Sequence, residues 1–121
     1  MKTVYLGIPY SHTDAYVRHC RFHAANRAAA RLYEMGYNVL SPISHSHPIS
    51  LYMQNSNDSD FWTSVDDYWQ RQCDELIILT LDGWRESVGL KKEINLALQF
   101  GQKVFFMDYD TMEISNFSDE V

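Results

Sequence analysis

Four apolar residues in a row, Leu76-Ile77-Ile78-Leu79, constrain this chain more than any other stretch. A half-buried strand alternates apolar and polar side chains, so a run that is apolar throughout needs cover on both faces. Segments of helical period flank it, from Asp60 to Cys73 and from Val88 to Phe100, with the strand expected over Glu75 to Leu81. Further short apolar runs lie at Thr3 to Gly7, Tyr37 to Leu40 and Lys103 to Met107. The order is therefore β-α-β-(loop)-α-β-α-β. It implies an α/β, three-layer Rossmann-like (flavodoxin-like) fold, a parallel sheet of four to five strands with helices on both faces.

Local signals set the boundaries. Thr13 or Asp14 can cap a helix running to about Met35, and Gly36 ends it in the left-handed position. Within that helix Tyr16, Cys20, Phe22, Ala25, Ala29, Leu32 and Tyr33 recur at roughly helical spacing, which predicts its buried face. Phe61, Val65, Tyr68, Trp69 and Gln72 fall on one side of the Asp60 segment, and Gly101 closes the Val88 segment. Ile43 to Ser59 carries Pro48 with several Ser and Asn and little periodicity. It reads as a long loop with at most one helical turn around Leu51-Tyr52-Met53. The acidic tail, Thr111 to Val121, has room for a short edge strand or helix.

Size and charge narrow the function classes. A chain of 121 residues suits a single domain, 1–121, and 45% hydrophobic content argues against disorder. The net charge of −6 excludes a general nucleic-acid surface, which needs a basic face, while leaving a small anionic ligand possible. No stretch approaches about 18 consecutive apolar residues, so no membrane partner is expected. Cys20 and Cys73 form no CxxC pair and read as buried or half-buried thiols of a reducing, cytoplasmic compartment.

In open parallel sheets, ligands bind outside the carboxyl ends of the strands. Three loops meet that rule, Gly7 to His12, Ser41 to His47 and Leu81 to Gly89, and are expected to converge. The first has one glycine and neither GxGxxG nor GxxxxGK[ST], against a dinucleotide or Walker-type site; Gly7 and Ser11 still permit close approach of a sugar or phosphate. Ser87-Val88-Gly89 opens a helix, where free N–H groups favour an anion, and Glu93 follows about one and a half turns inward. Asp66 and Glu93 are candidates for the paired carboxylates of glycosidic chemistry; a solvated acidic helix end is the plain alternative, and suits Asp67 better. His45 and His47 lie in the long loop, as ligand contacts or as ordinary polar residues. His19 and His23 have metal-compatible spacing but no convincing third ligand, so no metal and no cofactor is expected. Trp84 stands where it can stack on a nucleobase or fill a subunit interface.

Taken together, Tyr5-Leu6-Gly7-Ile8-Pro9-Tyr10-Ser11-His12, Ser41-Pro42-Ile43-Ser44-His45-Ser46-His47-Pro48-Ile49 and Asp82-Gly83-Trp84-Arg85-Glu86-Ser87 resemble a branch of small bacterial and phage proteins of unassigned function. More broadly the chain resembles the N-(deoxy)ribosyltransferase-like superfamily, which includes nucleoside 2′-deoxyribosyltransferases and 2′-deoxynucleoside 5′-monophosphate N-glycosidases. Tyr5 matches the tyrosine that orients the nucleophile. Asp66 stands eight residues before Asp74, and Ser87 six before Glu93, as the catalytic aspartate and the phosphate- or sugar-binding residue stand in those enzymes. The chain departs from them at Ile8-Pro9-Tyr10, at Lys91-Lys92 and in the Ser41 to Ser59 stretch.

The resemblance implies cleavage or transfer of the N-glycosidic bond of a (deoxy)nucleoside or its 5′-monophosphate. Glu93 would be the nucleophile, Tyr5 its orienting partner and Asp66 the acid. Gly7, Ser11, His45, Trp84, Ser87 and Gly89 would contact substrate. It also implies a homo-oligomer, dimer or tetramer. Phe61, Trp62, Tyr68 and Trp69 offer an apolar face for that, or else fill the monomer's own core. Two rival readings are a non-catalytic nucleotide-binding or sequestering module and cleavage of an NAD-like ribonucleotide.

Overall fold

The computed structural model describes residues 1–117. The elements run β1 (Thr3–Gly7), α1 (Ala15–Glu34), β2 (Asn38–Leu40), α2 (Pro42–Ser50), α3 (Ser59–Arg71), β3 (Glu75–Leu79), α4 (Val88–Phe100), β4 (Lys103–Met107) and β5 (Ile114–Asn116). One five-stranded sheet has the order β2-β1-β3-β4-β5. The first four strands are parallel, and β5 pairs antiparallel with β4 at the edge. The expected α/β three-layer architecture is the one observed. Of the acidic tail, Ile114–Asn116 forms the edge strand, and residues 118–121 lie outside the described residues.

Every residue of β3 is buried, as its unbroken apolar run requires. Alternation along the neighbouring strands sends Val4, Leu6, Ile77, Leu79 and Met107 to the face covered by α1. Tyr5, Leu76, Ile78, Val104 and Phe106 go to the face covered by α4. Caps fix the helix starts: the Asp14 carboxylate accepts from Tyr16 N at 2.9 Å, and Ser87 Oγ accepts from Leu90 N at 3.2 Å. Gly36 (φ 96°) and Gly101 (φ 71°) take the left-handed turns that release the chain after α1 and α4.

The sequence reading needs three corrections. The stretch expected as a long loop contains α2. Pro42 occupies an opening position of the helix, where its missing N–H costs nothing, whereas Pro48 removes one interior bond. Tertiary contact compensates: His47 is buried, stacks on Phe22 of α1 at 4.5 Å between centroids, and hydrogen-bonds Tyr10 Oη through Nδ1 at 2.5 Å. Second, the buried stripe of α1 is Ala24, Ala25, Ala28, Ala29 and Leu32, while Tyr16, Cys20 and Tyr33 are exposed. Small side chains let this helix lie close to the sheet, so its larger residues face outward. Third, of the two thiols only Cys73 is buried, and burial raises it to about 11.

Candidate active site

Tyr5 is fully buried in β1, and its Oη donates to Glu93 Oε2 across 2.7 Å. Glu93 sits on the second turn of α4 with its carboxyl group buried. Gly7 makes that position possible, because a methyl group there would lie 2.9 Å from Glu93 Oε1 and 3.0 Å from Leu90 Cδ2. A cavity of about 310 Å³ opens between α3 and α4 in front of this carboxyl. From α3 it is lined by Thr63, Asp66, Asp67 and Gln70, and from α4 by Gly89, Lys92, Glu93 and Leu96 among others. Both sets recur at three- and four-residue steps, so one stripe of each helix faces the hollow.

The two acids differ in their surroundings. Burial pushes Asp66 up to about 6. It pushes Glu93 up to about 8; the charge of Asp66 acts in the same direction and the Tyr5 hydrogen bond opposes it. Burial, with the nearby charges of Glu93 and Asp66, holds the Tyr5 hydroxyl well above the usual phenol range, so it stays a donor. Asp67 is tied up differently, its carboxylate meeting Arg71 Nε at 3.0 Å. Near neutral pH the Asp66–Glu93 pair therefore carries one proton, a state suited to acid–base work.

The three loops do meet. Arg21 of α1 donates to Ser11 O at 3.0 Å and to Asp82 O at 3.2 Å, bracing the first loop to the third. Its guanidinium also occupies the space beside Gly83, which adopts φ 92°. The Tyr10–His47 bond ties the first loop to α2.

The substrate-binding candidates divide. Gly89 lines the cavity, and a methyl group there would meet only Ser87 Oγ, at 3.9 Å, which leaves room for close approach. Ser87 Oγ is engaged as the cap of α4, and the carbonyl of exposed Ser11 is taken by Arg21. Trp84 packs on Phe106 at 4.9 Å with the Arg85 guanidinium 4.4 Å from its ring centroid, and it lines neither cavity described here. His45 lines a second hollow, of about 530 Å³, beside β2 and between α1 and α2, with Ser41, Ser44 and Trp69. Thus α3 contributes Asp66 to one cavity and Trp69 to the other.

Gln70, Lys92 and Arg21 were missed in the sequence. The helical spacing of Gln70 from Asp66 was the available signal for the first. His23 and His19 share an Nε2–Nε2 hydrogen bond of 3.0 Å on the exposed side of α1. Among the described residues no three His, Cys, Asp or Glu side chains are grouped to hold a metal ion, and no helix is long and apolar enough to cross a membrane.

The model of one protein family, described as "Domain of unknown function (DUF1937)", matches residues 2–109. No curated protein matches the sequence.

Proposed function

The chain belongs to the DUF1937 family, and we propose that it cleaves or transfers the N-glycosidic bond of a (deoxy)nucleoside or its 5′-monophosphate. One observation carries the reading: a buried tyrosine donates at 2.7 Å to a glutamate that shares a cavity with a second raised carboxyl group. That is the equipment of a retaining displacement at an anomeric carbon.

Glu93 attacks C1′ in its ionised form, and the C1′–N bond breaks with its electron pair going to the base nitrogen. Asp66 gives that nitrogen its proton. Before reaction the shared proton rests on the Glu93 side, so it passes to Asp66 as Glu93 becomes the nucleophile. The resulting glycosyl ester is opened by water, with Asp66 accepting the proton, or by a second base. Tyr5 holds the Glu93 rotamer. Gly89 and the N–H groups at the start of α4 receive a phosphate or sugar hydroxyls.

Assembly into a homo-oligomer belongs to the same proposal. Phe61, Tyr68 and Trp69 stay exposed instead of filling the monomer's core, which leaves an apolar helix face beside the cavity for a second copy.

The test is chromatography of a nucleoside and nucleotide panel after incubation with the chain, beside a thermal-shift screen of the same panel. Free base, absent with Glu93→Ala, supports the proposal. Shifts without free base from any member indicate a binding module instead.

A further inference from the structure

Helix α3 is held differently from the others. Of its thirteen residues only Gln70 is buried, at 1% exposure, while Phe61, Tyr68 and Trp69 face outward. A helix is ordinarily located by its buried apolar stripe. Here a polar latch takes that part. Gln70 Nε2 donates to the Glu93 carbonyl at 2.7 Å and to Gln102 Oε1 at 3.2 Å. Gln102 Nε2 returns two bonds, both 2.8 Å, to the carbonyls of Gln70 and Cys73. The left-handed turn at Gly101 ends α4 and places Gln102 against the end of α3.

Gln70 is one helical turn from Asp66 on the same face, and its partner is the backbone of Glu93 itself. The latch thus joins the two acid-bearing helices directly beneath the cavity. We infer that Gln70 and Gln102 are positioning residues, fixing α3 so that Asp66 faces Glu93 across a set gap. The inference rests on the reading of Asp66 and Glu93 as the reacting pair. Hydrogen bonds suit the task because they fix direction, whereas an apolar contact lets the helix slide or rotate. The buried Gln70 amide must also keep its partners, since a buried polar group left unpaired is costly.

The experiment compares Gln70→Leu, Gln102→Leu and the double variant with the unaltered chain. Carboxyl carbon NMR titrations of Asp66 and Glu93, assigned with Asp66→Asn and Glu93→Gln, are read beside Tm. Gln70→Leu removes the bond to the Glu93 carbonyl and Gln102→Leu the bonds to the Gln70 and Cys73 carbonyls, so each lowers Tm and the double change lowers it further. In every variant, at temperatures where it is folded, Glu93 titrates closer to the ordinary carboxylate range, because Asp66 has moved away and water reaches the site. Asp66 and Glu93 titrating as in the unaltered chain while Tm falls overturns the inference. Should the double variant not fold, the single variants carry the test. No substrate is needed, so a chain that releases no base leaves the latch standing, and a failed latch leaves the glycosidic proposal untouched.

Discussion

Tyr5 and Glu93, separated by 88 positions in the chain, meet through a 2.7 Å hydrogen bond. The contact joins the second-layer core on one face of the sheet to the wall of a cavity. Tyr5 reaches it because β1 is an inner strand, beside β3, and its third residue points toward α4. Glu93 reaches it because Gly7 leaves no side chain in the way.

Replacing Tyr5 by Phe keeps the ring's packing and removes the donor. A hydrogen bond to a charged acceptor contributes about 1.5–3 kcal/mol. If Glu93 is the nucleophile, base release from the best substrate should slow roughly 10- to 100-fold. Steady-state rates of Tyr5→Phe and the unaltered chain check this. Equal rates would remove Tyr5 from the mechanism.

The paired acids give a pH signature. Below about 6 both are protonated and Glu93 cannot attack; above about 8 both are ionised and no acid remains. The kcat/KM profile should be a bell with limbs near those two values, which belong to the pair as a whole. A flat profile from pH 5 to 9, or a single limb, would contradict it. Asp66→Asn should abolish the alkaline limb.

Stability should follow Glu93 as well. Its folded pKa, about 8, lies above the ordinary 4.5, so the folded chain binds more protons than the unfolded chain between those values. Stability from this group is full below about pH 4.5 and is lost as pH rises through about 8. Glu93→Gln removes the penalty for a buried charge. Its Tm should therefore exceed that of the unaltered chain at pH 9, with the gap closing toward pH 5. Calorimetry across that range is the measurement; a gap that widens toward acid would show the reverse linkage.

Gly7→Ala tests the close approach. The added methyl meets Glu93 Oε1 at 2.9 Å, Leu90 at 3.0 Å and Ile78 at 3.1 Å, so the carboxyl and two core residues must give way. Overpacking of this kind costs about 1–3 kcal/mol. Chemical unfolding should show that loss. Base release should fall by more than the folded fraction does, since the nucleophile is displaced. By contrast, Gly89→Ala has only Ser87 Oγ nearby and should unfold like the unaltered chain.

The strands, three of the four helices and some of the helix ends were legible because their signals are local. Asp14, Gly36 and Gly101 act on the backbone within a few residues, and the run at Leu76–Leu79 announces a strand covered on both faces. The Ser87 cap was read only as an anion contact. Helix α2 was not legible, because neither Pro48 nor its periodicity favours a helix; the burial of His47 against Phe22 and Tyr10 makes it one. The packing face of α1 was misjudged for a related reason, since an alanine stripe has little hydrophobic weight but allows the closest approach to a sheet.

At the site, Asp66 and Glu93 were readable as a candidate carboxylate pair, while Tyr5 was singled out by the family resemblance alone. Their meeting was decided by the sheet, which places β1 beside β3 and so brings the first strand under a helix that begins more than eighty residues later. The Gln70–Gln102 latch lay wholly beyond the sequence, because a buried amide pair has no periodicity and looks like two ordinary surface glutamines. Local chemistry determined which elements form. Long-range packing alone decided which side chains face one another, because a distance across a cavity depends on how whole helices are held and not on their residues in order.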